Sequence, residues 1–462
     1  MPETDVADER APSTSRGTNR TGLFATAALA VAGVVGALGF AATRDTWSRS
    51  GPPLQVASWA PYWQPDTALA SFQANSALFA DVSLVAYSAL GATTIVAYDG
   101  LPDGTIETYA AAADAAGTPL IATIFDDSPS GTMASVLADP ATRAAHVQAV
   151  VDVVSDDAFD GVDLDYETFA FSDGRDTWAS TRPNWIAFLT ELAARLNPLD
   201  KQLIVSVPPV YDGGQTDASG YWVYDYVAMG AVVDRIRVMA YDYSFAGGQP
   251  GPIAPIEWVR TLVAAITELV PPEKIDLGVP TYGYDWVLSV AGVCPADQQP
   301  KTKAMSTVRA ARTVAERGIT PIWDPVAEER TFDYVDTLTG ADAAGETVSC
   351  TVSRRVHYLD AVAVHRRAWV AHRNDLHGIA LWALGNDDPL TWEGIRAARR
   401  GEEQWADPTV AAPTTPTSGV PVSGVQVSGV PSVAPRSPTA SEAGRVDVDA
   451  EEHAAEGLVE PG

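Results

Sequence analysis

Asp160-Gly161-Val162-Asp163-Leu164-Asp165-Tyr166-Glu167 alternates acidic with apolar side chains and closes on a glutamate. In a β-strand successive side chains point to opposite faces. The spacing therefore puts Asp163, Asp165 and Glu167 on one face and Val162, Leu164 and Tyr166 on the other. Three crowded carboxylates repel one another, which raises at least one pKa and keeps a carboxylic acid protonated near neutral pH. Such an acid is equipped for general acid catalysis.

Outward from this stretch, short apolar runs alternate with helical patterns. Strands are expected at 56–60, 82–87, 120–125, 161–166, 203–207, 236–240, 275–279 and 378–382. Helical periodicity falls near 66–79, 106–116, 142–154, 184–196, 221–230, 256–270, 361–373 and 393–400. Eight strands, each followed by a helix, predict an α/β fold, a (β/α)8 TIM barrel over residues 55–405. A doubly wound open sheet is the alternative, because strand count alone does not prove closure. The span between the seventh and eighth strands is the longest. Residues 285–360 there read as a small α+β insertion, with a helix over 304–317, a turn at Trp323–Pro325 and a strand over Thr331–Val335. It is positioned to form one wall of a cleft.

The flanks differ in composition. Residues 1–20 are polar and read as disordered. Arg10, Arg16 and Arg20 precede an uncharged run over 21–43, which reads either as a cleaved signal peptide or as an anchor long enough to span a bilayer and tether the protein to a membrane. Both readings export the remainder. Residues 406–462 are rich in Pro, Ser, Thr and Val, repeat Ser-Gly-Val from Ser418, finish acidic and read as a disordered tail. The chain carries 59 acidic against 30 basic residues, a formal charge of -29, which disfavours nucleic acid and anionic surfaces as partners. Cys294 and Cys350 are the only two cysteines. In an exported protein they are expected to pair, the alternative being two free thiols. Cysteine and histidine spacing offers no metal site, and no cofactor is expected. The chain is expected to be a monomer.

In a barrel, chemistry gathers at the C-terminal ends of the strands. The first predicted strand runs into Trp59, Tyr62 and Trp63, the sixth into Tyr241, Asp242 and Tyr243, the seventh into Tyr282, Tyr284 and Trp286, and the eighth ends at Trp382. Carboxylates ringed by aromatic planes suit a sugar, whose ring has apolar C–H faces; barrel filling is the plainer reading of any single aromatic. Two other readings of 160–167 compete. A solvated edge strand leaves Val162 and Leu164 without a buried face. A calcium loop has its glycine after the third ligand, whereas Gly161 comes before Asp163. As a glycosidase acid, Glu167 lacks a partner carboxylate across the sugar, since the neighbouring acids share its strand. That suits a substrate carrying its own nucleophile.

These residues resemble glycoside hydrolase family 18, the chitinase-like barrels, over roughly residues 55–400. The DGxDxDxE signature is matched at Asp160, Gly161, Asp163, Asp165 and Glu167, Met-x-Tyr-Asp at Met239, Tyr241 and Asp242, and the last-strand tryptophan at Trp382. Residues 59–63, 278–286 and 380–385 look most like the spore-cortex-lytic, peptidoglycan-directed branch. The resemblance implies a retaining, substrate-assisted hydrolysis of β-1,4-linked N-acetylglucosamine polysaccharide. Glu167 would be the acid and Asp165 the acetamido partner. Asp163 would share a proton with Asp165, and Tyr241 would bond the acetamido oxygen. Asp160, Asp242, Trp382, Tyr62, Trp63, Tyr282 and Trp286 would bind substrate. Two departures stand out. The chitinase SxGG motif is replaced by Ile124-Phe125-Asp126-Asp127, and the LysM repeats usual in that branch do not occur in this sequence. The rival function is an inactive, lectin-like barrel that binds the same polymers.

Overall fold

The computed structural model describes residues 49, 51–155 and 158–405. The segments 1–20, 21–43 and 406–462 lie outside the described residues. Among the described residues, no helix is long and apolar enough to cross a membrane.

The strands, in chain order, are β1 (Gln55–Ala60), β2 (Phe79–Ala89), β3 (Ile95–Ala97), β4 (Leu120–Asp126), β5 (Gly161–Asp165), β6 (Gln202–Val207), β7 (Arg235–Val238) and β8 (Ile275–Pro280). There follow β9 (Tyr282–Gly292), β10 (Lys303–Ser306), β11 (Ile322–Asp324), β12 (Glu329–Ala341), β13 (Thr347–Tyr358) and β14 (Gly378–Trp382). Strands β1, β2, β4, β5, β6, β7, β8 and β14 pair in parallel, and β1 pairs with both β14 and β2. The sheet therefore closes into an eight-stranded parallel barrel, and the open-sheet alternative falls away. Helices such as Trp178–Leu196, Ile256–Ile266 and Ala361–Arg373 surround it. Their apolar faces and the outward strand residues form one continuous core that includes Val162, Leu164 and Tyr166.

Local differences from the sequence reading have local causes. The 142–154 helix runs from Pro140 to Val154, with proline in its first turn and the Asp139 carboxylate accepting from two amides. A separate helix, Thr132–Ala138, precedes it. The 221–230 helix shrinks to Tyr226–Gly230, started by Asp225 as its cap. Strand β3 had no counterpart in the pattern; it folds back on β2 as an antiparallel hairpin.

The insertion spans Tyr282–Tyr358, close to the predicted 285–360. It is a five-stranded antiparallel sheet in the order β10-β9-β13-β12-β11, with the helix Thr307–Arg317 packed on it. Cys294 and Cys350 form a disulfide, closing a loop with a sequence separation of 56. In the chain-entropy picture such a cross-link contributes about 4 kcal/mol. A buried ion pair joins the insertion to the barrel helices: Glu329 accepts from the amides of Ile253 and Ala254 and pairs with Arg367 at 3.1 Å.

Candidate active site

Strand β5 carries the acidic face into the barrel. Asp163 and Asp165 are buried inside, while Tyr166 turns outward, its hydroxyl 2.8 Å from His146 Nε2 and its ring stacked on Phe188. The strand ends at Asp165, and Glu167 begins the short helix Thr168–Phe171. Two outside bonds fix this exit. The Tyr224 hydroxyl donates to the Tyr166 carbonyl at 2.7 Å, and the Thr168 hydroxyl donates to the Asp126 carbonyl at 2.7 Å. Glu167 keeps part of its surface open at the mouth.

The three acids are held differently. Asp163 accepts from Trp59 Nε1 at 2.8 Å and from Arg237 Nη1 at 2.7 Å on one oxygen, and from the Ser206 hydroxyl at 2.7 Å on the other. Asp165 hydrogen-bonds Glu167 through its side chain, and its Oδ1 is buried with no partner among the described residues. Asp163 is thus paired with Arg237, and the Asp165 side chain is turned to Glu167. Burial, reinforced by the charges of Glu167 and Asp163, holds the Asp165 carboxyl well above the usual range. Burial also pushes Glu167 up to about 7, against its bond to Asp165, with the Asp242 charge adding to the rise.

The loop after β7 supplies Tyr241 and Asp242. Tyr241 fits because β8 has Gly278 beside it: a Cβ there would come within 2.9 Å of the Tyr241 ring and 2.6 Å of the Val238 carbonyl oxygen. Burial, followed by the charges of Asp165, Asp242, Glu167 and Asp163, keeps the Tyr241 phenol protonated. Asp242 takes the left-handed backbone region, φ 57°, which aspartate tolerates better than most residues. Its Oδ1 accepts from Tyr282 at 2.5 Å and from Tyr284 at 3.1 Å. The residue itself is exposed at the rim, and crowding by the surrounding protein raises its carboxyl to about 6 against the pull of these two hydroxyls. Strand β9 of the insertion thereby forms a wall of the mouth, as its position in sequence suggested.

Trp382, half-buried at the end of β14, lies with its ring centroid 5.6 Å from Trp59, 6.0 Å from Trp63 and 6.5 Å from Phe125. Tyr62 stacks on Tyr98 at 4.3 Å, and the Tyr98 hydroxyl donates to Asp127 at 2.6 Å. Glu167, Asp165, Asp163, Tyr241, Asp242, Tyr282, Trp382, Tyr62 and Trp63 thus all sit in or around one end of the barrel. Two predicted substrate contacts do not. Asp160 lies at the opposite, N-terminal end of β5, where its carboxylate accepts from the Leu120 amide at 2.9 Å. Its place in the signature is structural: it ties β5 to β4. Trp286 is only 2% exposed, sealed between Tyr284 and His357, so its ring faces no ligand. Arg237, Ser206, Tyr224, Tyr98 and Asp127 were missed. Arginine in the apolar run of β7 was the one available signal, since a charge there demands a buried partner.

A closed parallel barrel with a buried carboxylate pair at the C-terminal strand ends, walled by aromatic rings, defines the glycosidase class of TIM barrels. The family model for glycosyl hydrolases family 18 matches residues 58–387, and the chain belongs to that family. A sporulation-specific glycosylase of Bacillus subtilis (strain 168), YdhD, is 36% identical over 155 residues, 33% of this chain and 34% of that protein. The cortical fragment-lytic enzyme of Bacillus anthracis is 26% identical over 231 residues, 50% of this chain and 47% of that protein. The chain therefore spans between a third and a half of the length of these relatives. The crystal structure of a chitinase from Chromobacterium violaceum ATCC 12472 shares the fold, with TM-score 0.60 and 22% identity over 75% of this chain and 98% of that one.

Proposed function

We propose that this protein is an exported glycosidase that cleaves β-1,4 bonds in N-acetylglucosamine polymers of the peptidoglycan or chitin type, with retention and with help from the substrate's acetamido group. The observation that carries the reading is the pairing of Asp165 with Glu167 while Asp165 Oδ1 stays buried without a donor. A buried carboxylate oxygen normally has a partner, and an acetamido N–H supplies one.

In the proposed reaction Glu167, with a carboxyl near 7, donates its proton to the glycosidic oxygen as the bond to C1 breaks. The acetamido carbonyl oxygen attacks C1 and closes an oxazolinium ion. Asp165 Oδ1 accepts the acetamido N–H. The Tyr241 hydroxyl, kept protonated by its surroundings, donates to the acetamido oxygen. Trp382 lies under the sugar ring. The Glu167 carboxylate then takes a proton from water as it adds at C1, which restores the acid and retains the configuration. The likeness to sporulation and cortex-lytic enzymes supports a peptidoglycan substrate.

Export is supported by the arginines ahead of the uncharged 21–43 run and by the disulfide, which persists in oxidising compartments. The test is mass spectrometry of products from purified peptidoglycan and from chitin oligosaccharides, with a thiazoline mimic of the oxazolinium as inhibitor. Cleavage with retained anomeric configuration and thiazoline inhibition are expected. Saturable binding without turnover would replace the hydrolase by a lectin.

A further inference from the structure

We infer that Arg237 is a positioning residue for the acid pair: by occupying Asp163 it leaves the Asp165 side chain turned towards Glu167. The inference rests on the hydrolytic reading above and adds to it a residue outside the family signature. Asp165 stands between two carboxylates on its own strand, Asp163 two positions before it and Glu167 two after. A carboxylic acid there can donate to either. Asp163 already takes three donors, from Trp59, Ser206 and Arg237, and both its oxygens are engaged.

Arg237 cannot easily follow Asp163 elsewhere, because both its terminal nitrogens are held by other partners as well. Its Nη1 also donates to the Ser83 hydroxyl at 2.6 Å, its Nη2 pairs with Asp81, and its Nε lies 3.8 Å from Asp276. Its guanidinium lies 5.2 Å from the centre of the Trp59 ring. Arg235 bonds Asp81 and lies 3.7 Å from Asp276, and His377 holds Asp276 at 2.6 Å. The side-chain bond of Asp165 then goes to Glu167. In this arrangement the acid pair is set before substrate arrives.

Crystal structures of the wild type, Arg237→Met and Arg237→Lys at one pH, with kcat and KM on a fluorogenic chito-oligosaccharide, test this. In Arg237→Met the Asp165 carboxyl is expected to turn from Glu167 to Asp163, with kcat about 100-fold lower and KM little changed. Lysine, which keeps the charge, is expected to restore the orientation and most of kcat. The pair Arg237→Met with Asp81→Asn removes one charge of each sign and serves if the single variant does not fold. Asp165 remaining on Glu167 in a folded variant without the arginine charge would overturn the inference. A wild type that turns over no glycan would instead defeat the hydrolytic reading, while the side-chain orientation would still decide the role of Arg237.

Discussion

Two sets of carboxylates share this barrel, one buried in its interior and one at its mouth, and they are held in opposite ways. Deeper in, Asp81, Asp163 and Asp276 face Arg235, Arg237 and His377. At the mouth, Asp165, Glu167 and Asp242 face one another and tyrosine hydroxyls. Desolvation acts on Asp276 in the same direction as on Asp165, Glu167 and Asp242, raising the carboxyl. For Asp276 the nearby His377, Arg235 and Arg237 reverse it and hold the group below its usual range. For Asp165 nothing cationic reverses it, and the like charges of Glu167 and Asp163 add to the rise. The difference teaches that depth in the barrel does not decide which acid keeps a proton; the sign of the nearest charge does.

Four measurements sharpen or break this contrast. Glu167→Gln removes the transferable proton at the mouth and is expected to lower kcat about 10²–10⁴-fold, with thiazoline affinity by calorimetry retained. Undiminished turnover would sink the assignment. Asp165→Ala deletes the acceptor proposed for the acetamido N–H; a loss of about 10²–10³-fold is expected, together with loss of the preference for N-acetylated over deacetylated sugar. An unchanged preference would break the acetamido argument.

The deeper set should fail in stability. Asp81→Asn leaves both arginines short of a counter-charge, and urea unfolding should show a loss of about 3–5 kcal/mol; a loss under about 1 kcal/mol would mean the cluster is solvated and the contrast false. The smallest effect is a shift in pH. Because Glu167 acts as the acid in the proposed reaction, kcat/KM should fall as pH rises through about 7. Asp242→Asn removes a like charge that raises Glu167, so the falling limb should move to lower pH. A move to higher pH would reverse the sign of the interaction.

Much of this was legible in advance. All eight barrel strands lie where apolar runs bounded by turns put them, because a barrel strand is buried on both faces. Alternation along 161–166 gave the outward Tyr166 and the inward Asp163 and Asp165. What periodicity could not convey is which end of a strand a residue occupies relative to ligand. Asp160 belongs to the same acidic pattern as Glu167, yet it bonds the Leu120 amide at the far end of the strand. Trp286 follows the same Tyr-x-Tyr-x-Trp alternation as Tyr282 and Tyr284, and the packing of β9 against β13 buries its ring beside His357.

The sequence by itself determined the eight strands and the acidic face that ends at Glu167, because these depend on residues near one another in the chain. The tertiary structure alone decided the partners of each acid. Arg237 is 74 positions from Asp163 and Trp59 is 104 positions from it. Only closure of the barrel brings them within bonding distance, and that closure separates the acid paired with an arginine from the acid that has none beside it.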